Sequence, residues 1–118
     1  IKLEMKVEEL YEFLKNAQEP KGYFFNQDKG YVRDLLTSLL QNKSQYGYMG
    51  CPCRLLCGNR DWDQDIICPC HYREADVKEY GSCYCGLYVS ESWNAGTIPP
   101  NYVPERRPPE KIMGPDMQ

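Results

Sequence analysis

CPCRLLCGNRDWDQDIICPCHYREADVKEYGSCYC, residues 51–85, holds all seven cysteines of the 118-residue chain. Six of them form three Cys-x-Cys pairs: Cys51/Cys53, Cys68/Cys70 and Cys83/Cys85. Two of the pairs enclose a proline, Pro52 and Pro69, and Cys57 stands alone. Proline fixes φ and removes an amide donor, so it sets the splay of the sulfurs on either side. One sulfur of a Cys-Pro-Cys can then face a metal site while the other faces a neighbour. Four thiolates suffice for one iron–sulfur or zinc site, and two more make a redox dithiol. The arithmetic does not allocate individual cysteines. Neither a thioredoxin-type Cys-x-x-Cys nor the ferredoxin run C-x2-C-x2-C-x3-C-P occurs.

The distribution of thiols argues against a secreted disulfide scaffold. Their number is odd and they are confined to one stretch, which suits convergence on one centre better than stapling of distant loops. A cytoplasmic metal or redox protein is the expectation. Net charge is −3, so no overall basic field points to nucleic acid. Mean hydropathy is −0.68, and no apolar run approaches the ~18 residues of a membrane span.

Ahead of the cysteines the pattern is helical. Val7, Leu10, Tyr11 and Leu14 fall at i, i+3, i+4 and i+7 and predict a helix over 3–17, ended by Pro20 and Gly22. A second helix is expected over 28–43, capped by Asn26 or Asp28, with Val32, Leu35, Leu36, Leu39 and Leu40 buried. The aromatic run Tyr23-Phe24-Phe25 between them should fill core. Residues 44–50, SQYGYMG, read as a loop leading into Cys51.

Short elements are expected within and after the cysteine stretch. Cys53 to Cys57 suits one turn of helix, Asp61 can cap a short helix through Ile67, and Gly81 can stop a partial helix in 71–82. Leu87 to Val89 is β-prone but has no evident partner strand, so a loop or edge piece is expected. Beyond Gly96, six prolines between Pro99 and Pro115 forbid regular helix over most of the tail. Arg106 and Arg107 there read as solvated charges. The expected architecture is mainly α: a catalytic domain over 1–95 and a proline-rich extended tail over 96–118 that wraps it.

The order CPC, CPC, Cys-x-Cys, with spacers of fourteen and twelve residues, resembles the catalytic subunit of ferredoxin:thioredoxin reductase, in particular its archaeal-like relatives. The likeness covers the cysteine stretch and, more loosely, the two helices before it. It implies a 4Fe-4S cluster held by Cys51, Cys68, Cys70 and Cys83. It also implies a redox-active disulfide between Cys53 and Cys85, with Cys53 the exposed interchange thiol and Cys85 against the cluster. Cys57 has no counterpart in the plant-type pattern and reads as a small hydrophobe.

The third pair departs from that pattern. The plant-type family has CHC, its histidine acting as a proton donor near the disulfide; here Tyr84 holds the place. The chain's one histidine, His71, directly follows Cys70 and is the candidate replacement. The implied partners are ferredoxin as electron donor, a thioredoxin-like protein as substrate, and, by analogy with plant-type relatives, a small β-barrel subunit. Neither nucleic acid nor membrane is an expected partner. Arg54, Arg60, Arg73 and Lys78 are candidates to steer an acidic ferredoxin.

The implied direction of electron flow is downhill. From roughly −400 mV for a plant-type ferredoxin to about −270 mV for thioredoxin, two electrons release about 6 kcal/mol. Two other classes fit the cysteines less well. One is a zinc-binding interaction module with four cysteine ligands and no turnover; the other is a plain electron carrier.

Overall fold

The computed structural model describes residues 6–100 and 102–115. Helix α1 spans Val7–Gln18 and helix α2 spans Lys29–Tyr46. The first three residues of the helix expected over 3–17 lie outside the described range. Leu10 and Leu14 of α1 are buried against a core that includes Val32, Leu35, Leu36 and Leu39 of α2, as the two apolar stripes require. Asp28 caps α2 by accepting from the Tyr31 amide, and α2 runs three residues beyond the expected Lys43 to stop at Gly47.

The connection between the helices carries a strand. β1 (Phe24–Phe25) pairs antiparallel with β2 (Tyr88–Val89), in register Phe24 with Val89 and Phe25 with Tyr88. The β-prone run after the last cysteine pair therefore has a partner, and that partner is the aromatic run. The Phe25 ring lies 4.8 Å from that of Tyr11 and 5.6 Å from that of Tyr88, locking the sheet onto α1.

Short helices complete the chain: a 3-10 turn at Trp62–Ile66, α3 (Arg73–Tyr80), α4 (Glu91–Ala95) and α5 (Pro109–Met113). About half of the chain is helical, around one small sheet. α3 stops at Gly81 as expected. Residues 53–57 form a turn and loop instead of a helical turn. α4 was not expected; the Ser90 side chain caps it by accepting from the Trp93 amide. α5 begins on Pro109, where the missing amide would have been unpaired in any case.

Arg107 overturns the reading of the tail charges as solvated. It is only 4% exposed, and its guanidinium meets Asp65 at 3.0 and 3.2 Å and Asp63 at 3.3 Å. Those carboxylates are further held by Tyr72 and Tyr48 at 2.6 Å each. Burial would raise the Asp65 carboxyl, but the Arg107 and Tyr72 hydrogen bonds outweigh it and hold the group below its usual range. Arg106, partly exposed, pairs with Asp76 and Glu79 on α3. Arg107→Met removes the guanidinium that both buried carboxylates share, leaving Asp65 with Lys111 Nζ at 3.9 Å. A loss of about 3–5 kcal/mol is expected, with a Tm lower by roughly 10–20 °C in a thermal melt.

Candidate redox site

Backbone pairing brings the three cysteine pairs together. The Cys51 amide donates to Ile66 O at 2.8 Å and the Cys68 amide to Met49 O at 2.8 Å. Gly50 and Ile67 form an antiparallel bridge there, so the first pair is laid against the second. Asn42 of α2 fixes this crossing by donating to Gly50 O at 2.9 Å. The Cys68–Pro69 peptide is cis.

The third pair sits on a tight turn beside β2. The Cys83 amide donates to Tyr88 O and the Gly86 amide to Cys83 O, each at 2.9 Å. Gly86 has φ +80°, and a Cβ there would lie 3.3 Å from the Tyr31 ring. Both the left-handed backbone and the close ring call for glycine. The Tyr31 hydroxyl donates to Cys85 O and ties the turn to α2.

A small hollow results, lined by Cys51, Cys68, Cys70, Cys83 and Cys85 with Arg73, Tyr84 and Tyr88. Cys51, Cys83 and Cys85 are buried, and Cys68 and Cys70 are half-buried. The Cys83 and Cys85 sulfurs are 3.7 Å apart, and the Tyr88 amide donates to the Cys83 sulfur at 3.3 Å. Cys53 is exposed and does not line the hollow. It lines instead a groove shared with Arg54, Leu55, Tyr84, Glu105, Arg107 and Ile112.

The thiols are electrostatically unequal. Hydrogen bonds to Cys51, Cys53 and Cys83 keep the proton on Cys85, whose thiol is held well above the usual range. The Cys85 hydrogen bond in turn lowers Cys53. The same bond, with the amides of Tyr88, Gly86 and Leu87, lowers Cys83 to about 7 against the effect of burial. Burial and the neighbouring thiols push Cys68 well up. Burial, then the surrounding sulfurs, raises the Tyr31 phenol to about 12.

Two arginines flank the sulfurs, and neither position was evident from spacing. Arg54 is buried, with its side chain 2% exposed. It forks onto Glu105 at 2.8 and 3.1 Å and stacks on Tyr84 at 4.5 Å. Its Nη1 is buried without a hydrogen-bond partner. Burial disfavours its charge, but Cys70, Cys51 and Glu105 more than restore it. A residue so enclosed is not placed to steer a docking protein, which removes Arg54 from that expectation. Arg73 stacks on Tyr23 at 3.7 Å and donates to Gln18 at 2.7 Å.

The remaining candidates lie apart. His71 is exposed; its amide donates to Asp65 O at 2.9 Å, and it lines neither the hollow nor the groove. Adjacency to Cys70 remains its sole support. Cys57 is also exposed, its sulfur 3.5 Å from an Asp63 carboxylate oxygen, and it too lines neither. Among the described residues, no three His, Cys, Asp or Glu side chains are set to grip one metal ion. No described helix is long and apolar enough to cross a membrane.

Paired thiols gathered on a small α-rich frame, one of them open to solvent, define a cysteine-based redox domain. The family model for the ferredoxin thioredoxin reductase catalytic beta chain matches residues 2–103, and the chain belongs to that family of oxidoreductases acting on disulfides. No curated protein matches the chain.

Proposed function

We infer that this chain is the catalytic subunit of a ferredoxin-dependent disulfide reductase. On this reading Cys51, Cys68, Cys70 and Cys83 hold a 4Fe-4S cluster, and Cys53 and Cys85 form the reducing dithiol. The observation that carries it is the division of the six paired cysteines between hollow and groove. Five line the hollow, and the sixth, Cys53, is exposed and lines a separate groove.

The donor set fits the cluster. Members of the family bind an iron–sulfur cluster, and a 4Fe-4S cluster takes four cysteine thiolates. A thiolate-ligated cluster is anionic, and a buried anion needs a cation. Arg54, with its unpartnered Nη1 and its attraction to Cys70 and Cys51, supports such a charge in the hollow. Once bound, the cluster supplies electrons singly at low potential, which matches a one-electron donor to a two-electron disulfide.

The chain's own residues carry the exchange. The Cys53 thiolate attacks one sulfur of the substrate disulfide; that S–S bond breaks, and the other substrate sulfur leaves as a thiolate and is protonated. Cys85 then attacks Cys53, releasing the second substrate thiol and closing a Cys53–Cys85 disulfide. Two electrons from ferredoxin and two protons restore the dithiol. Cys53 is exposed and Cys85 buried, and hydrogen bonding among the thiols lowers that of Cys53 and raises that of Cys85; both support Cys53 as the attacking sulfur. Burial and the nearby Glu105 raise the Tyr84 phenol, so it is a poor acid. Proton delivery is assigned to His71, the chain's one imidazole, on its adjacency to Cys70 in sequence alone, since it lines neither the hollow nor the groove.

Iron and acid-labile sulfide analysis tests the assignment. Anaerobically purified protein should be brown, with about four irons and four sulfides per chain as its four-cysteine ligation requires. A colourless protein carrying zinc would contradict it.

A further inference from the structure

The groove that opens on Cys53 has a wall the family match does not include. The match ends at residue 103, yet Glu105, Arg107 and Ile112 line this groove with Cys53, Leu55 and Tyr84. The wall is anchored. Arg107 is fixed by Asp63 and Asp65. α5 is clamped where Lys111 Nζ donates to Trp62 O at 2.6 Å and Trp62 Nε1 donates to Lys111 O at 2.9 Å.

Every charged side chain lining the groove is already engaged within the chain: Arg54 with Glu105, and Arg107 with the two aspartates. What the groove offers a partner is apolar. Leu55 is 81% exposed and Ile112 41% exposed, and both line the groove with the exposed Cys53. A single exposed leucine needs no explanation. Exposed apolar side chains that share one groove with an exposed cysteine, among internally neutralised charges, suit a recognition surface.

We propose that residues 105–113 form a substrate-selecting wall that, with Leu55, admits a protein whose disulfide sits on an uncharged, apolar loop, as in a thioredoxin-type partner. The inference rests on Cys53 being the interchange thiol. Charge complementarity chooses the occupant: the groove has no unpaired charge with which to hold a charged loop, and desolvating one there would go uncompensated. Lengthening or altering this tail would then change which disulfide proteins are reduced without touching the cysteines.

The test uses the cluster-loaded full-length protein and oxidised thioredoxin as probe. Ile112→Glu and Leu55→Glu each replace an exposed side chain outside the core. Each should raise both the KM and the calorimetric Kd for thioredoxin about tenfold or more, as expected from losing a well-buried apolar contact, with kcat within about twofold. Ile112→Leu should restore wild-type values. Phe13→Glu, on α1 and 63% exposed, serves as a surface control and should leave both constants unchanged. Alkylation of Cys53 by iodoacetamide, mapped in the same preparations after the dithiol has been reduced, separates the two ideas. Fast Cys53 labelling with unmoved KM and Kd in both Glu variants would overturn the wall alone. Slow Cys53 labelling in the wild type would overturn the interchange assignment and the wall with it.

Discussion

Cys85→Ser should turn the enzyme into a trap for its substrate. A thioredoxin whose second active-site cysteine is replaced by Ser, and whose first carries a thionitrobenzoate leaving group, gives a clean readout. Attack by Cys53 releases one coloured thionitrobenzoate and joins the two proteins by a disulfide. In the wild type Cys85 should then break that bond, making the complex transient. In Cys85→Ser it should persist and survive non-reducing electrophoresis. Cys53→Ser should release almost no colour and show no thioredoxin reduction, because its remaining paired sulfur, Cys85, is buried. Cys57→Ser should behave as wild type, since Cys57 lines neither hollow nor groove and its sulfur faces the Asp63 carboxylate. Loss of activity in Cys57→Ser with activity kept in Cys85→Ser would instead make Cys53 and Cys57 the working pair.

Cys68→Ser and Cys70→Ser should each lose most of the iron and sulfide, and with it the visible absorption. A serine hydroxyl does not supply the thiolate that iron–sulfur ligation requires. Ligand binding is also folding free energy in small metal domains, so both variants should melt well below the wild type. The same holds for Cys51→Ser and Cys83→Ser. Cys83 carries a second role: its sulfur accepts the Tyr88 amide at 3.3 Å and anchors the turn beside β2. Full iron content in Cys68→Ser and Cys70→Ser would remove both from the ligand set.

The helical frame was legible because it is local. The stripe Val7, Leu10, Tyr11, Leu14 and the run Val32 to Leu40 state their periodicity within a few turns; Asp28 marks the start of α2 by its side chain, and Gly81 the end of α3 by its φ. The sheet was not legible. Phe24–Phe25 and Tyr88–Val89 are two-residue strands far apart in the chain, and nothing within either run announces the other. α4 had a signal that went unread, Ser90 ahead of Trp93 with Gly96 behind.

Charge burial was the deeper gap. Arg107 sits in a proline-rich tail and looks solvated; its partners, Asp63 and Asp65, lie forty-odd residues earlier. Arg54 is likewise enclosed by Glu105 and Tyr84 from later parts of the chain. Tertiary pairing decides such burial, and local pattern does not carry it. The cysteine spacing, by contrast, announced a common centre. Spacing could not say that Cys53 would line the groove while the other five paired cysteines line the hollow.

The most direct measurement is a stoichiometric titration of oxidised thioredoxin with reduced ferredoxin in the presence of catalytic amounts of the protein under argon. Two ferredoxins should be oxidised for every thioredoxin disulfide converted to two thiols. Ferredoxin that stays reduced, with no thioredoxin thiols formed by a fully iron-loaded protein, would contradict the assignment of this chain as a ferredoxin-dependent disulfide reductase.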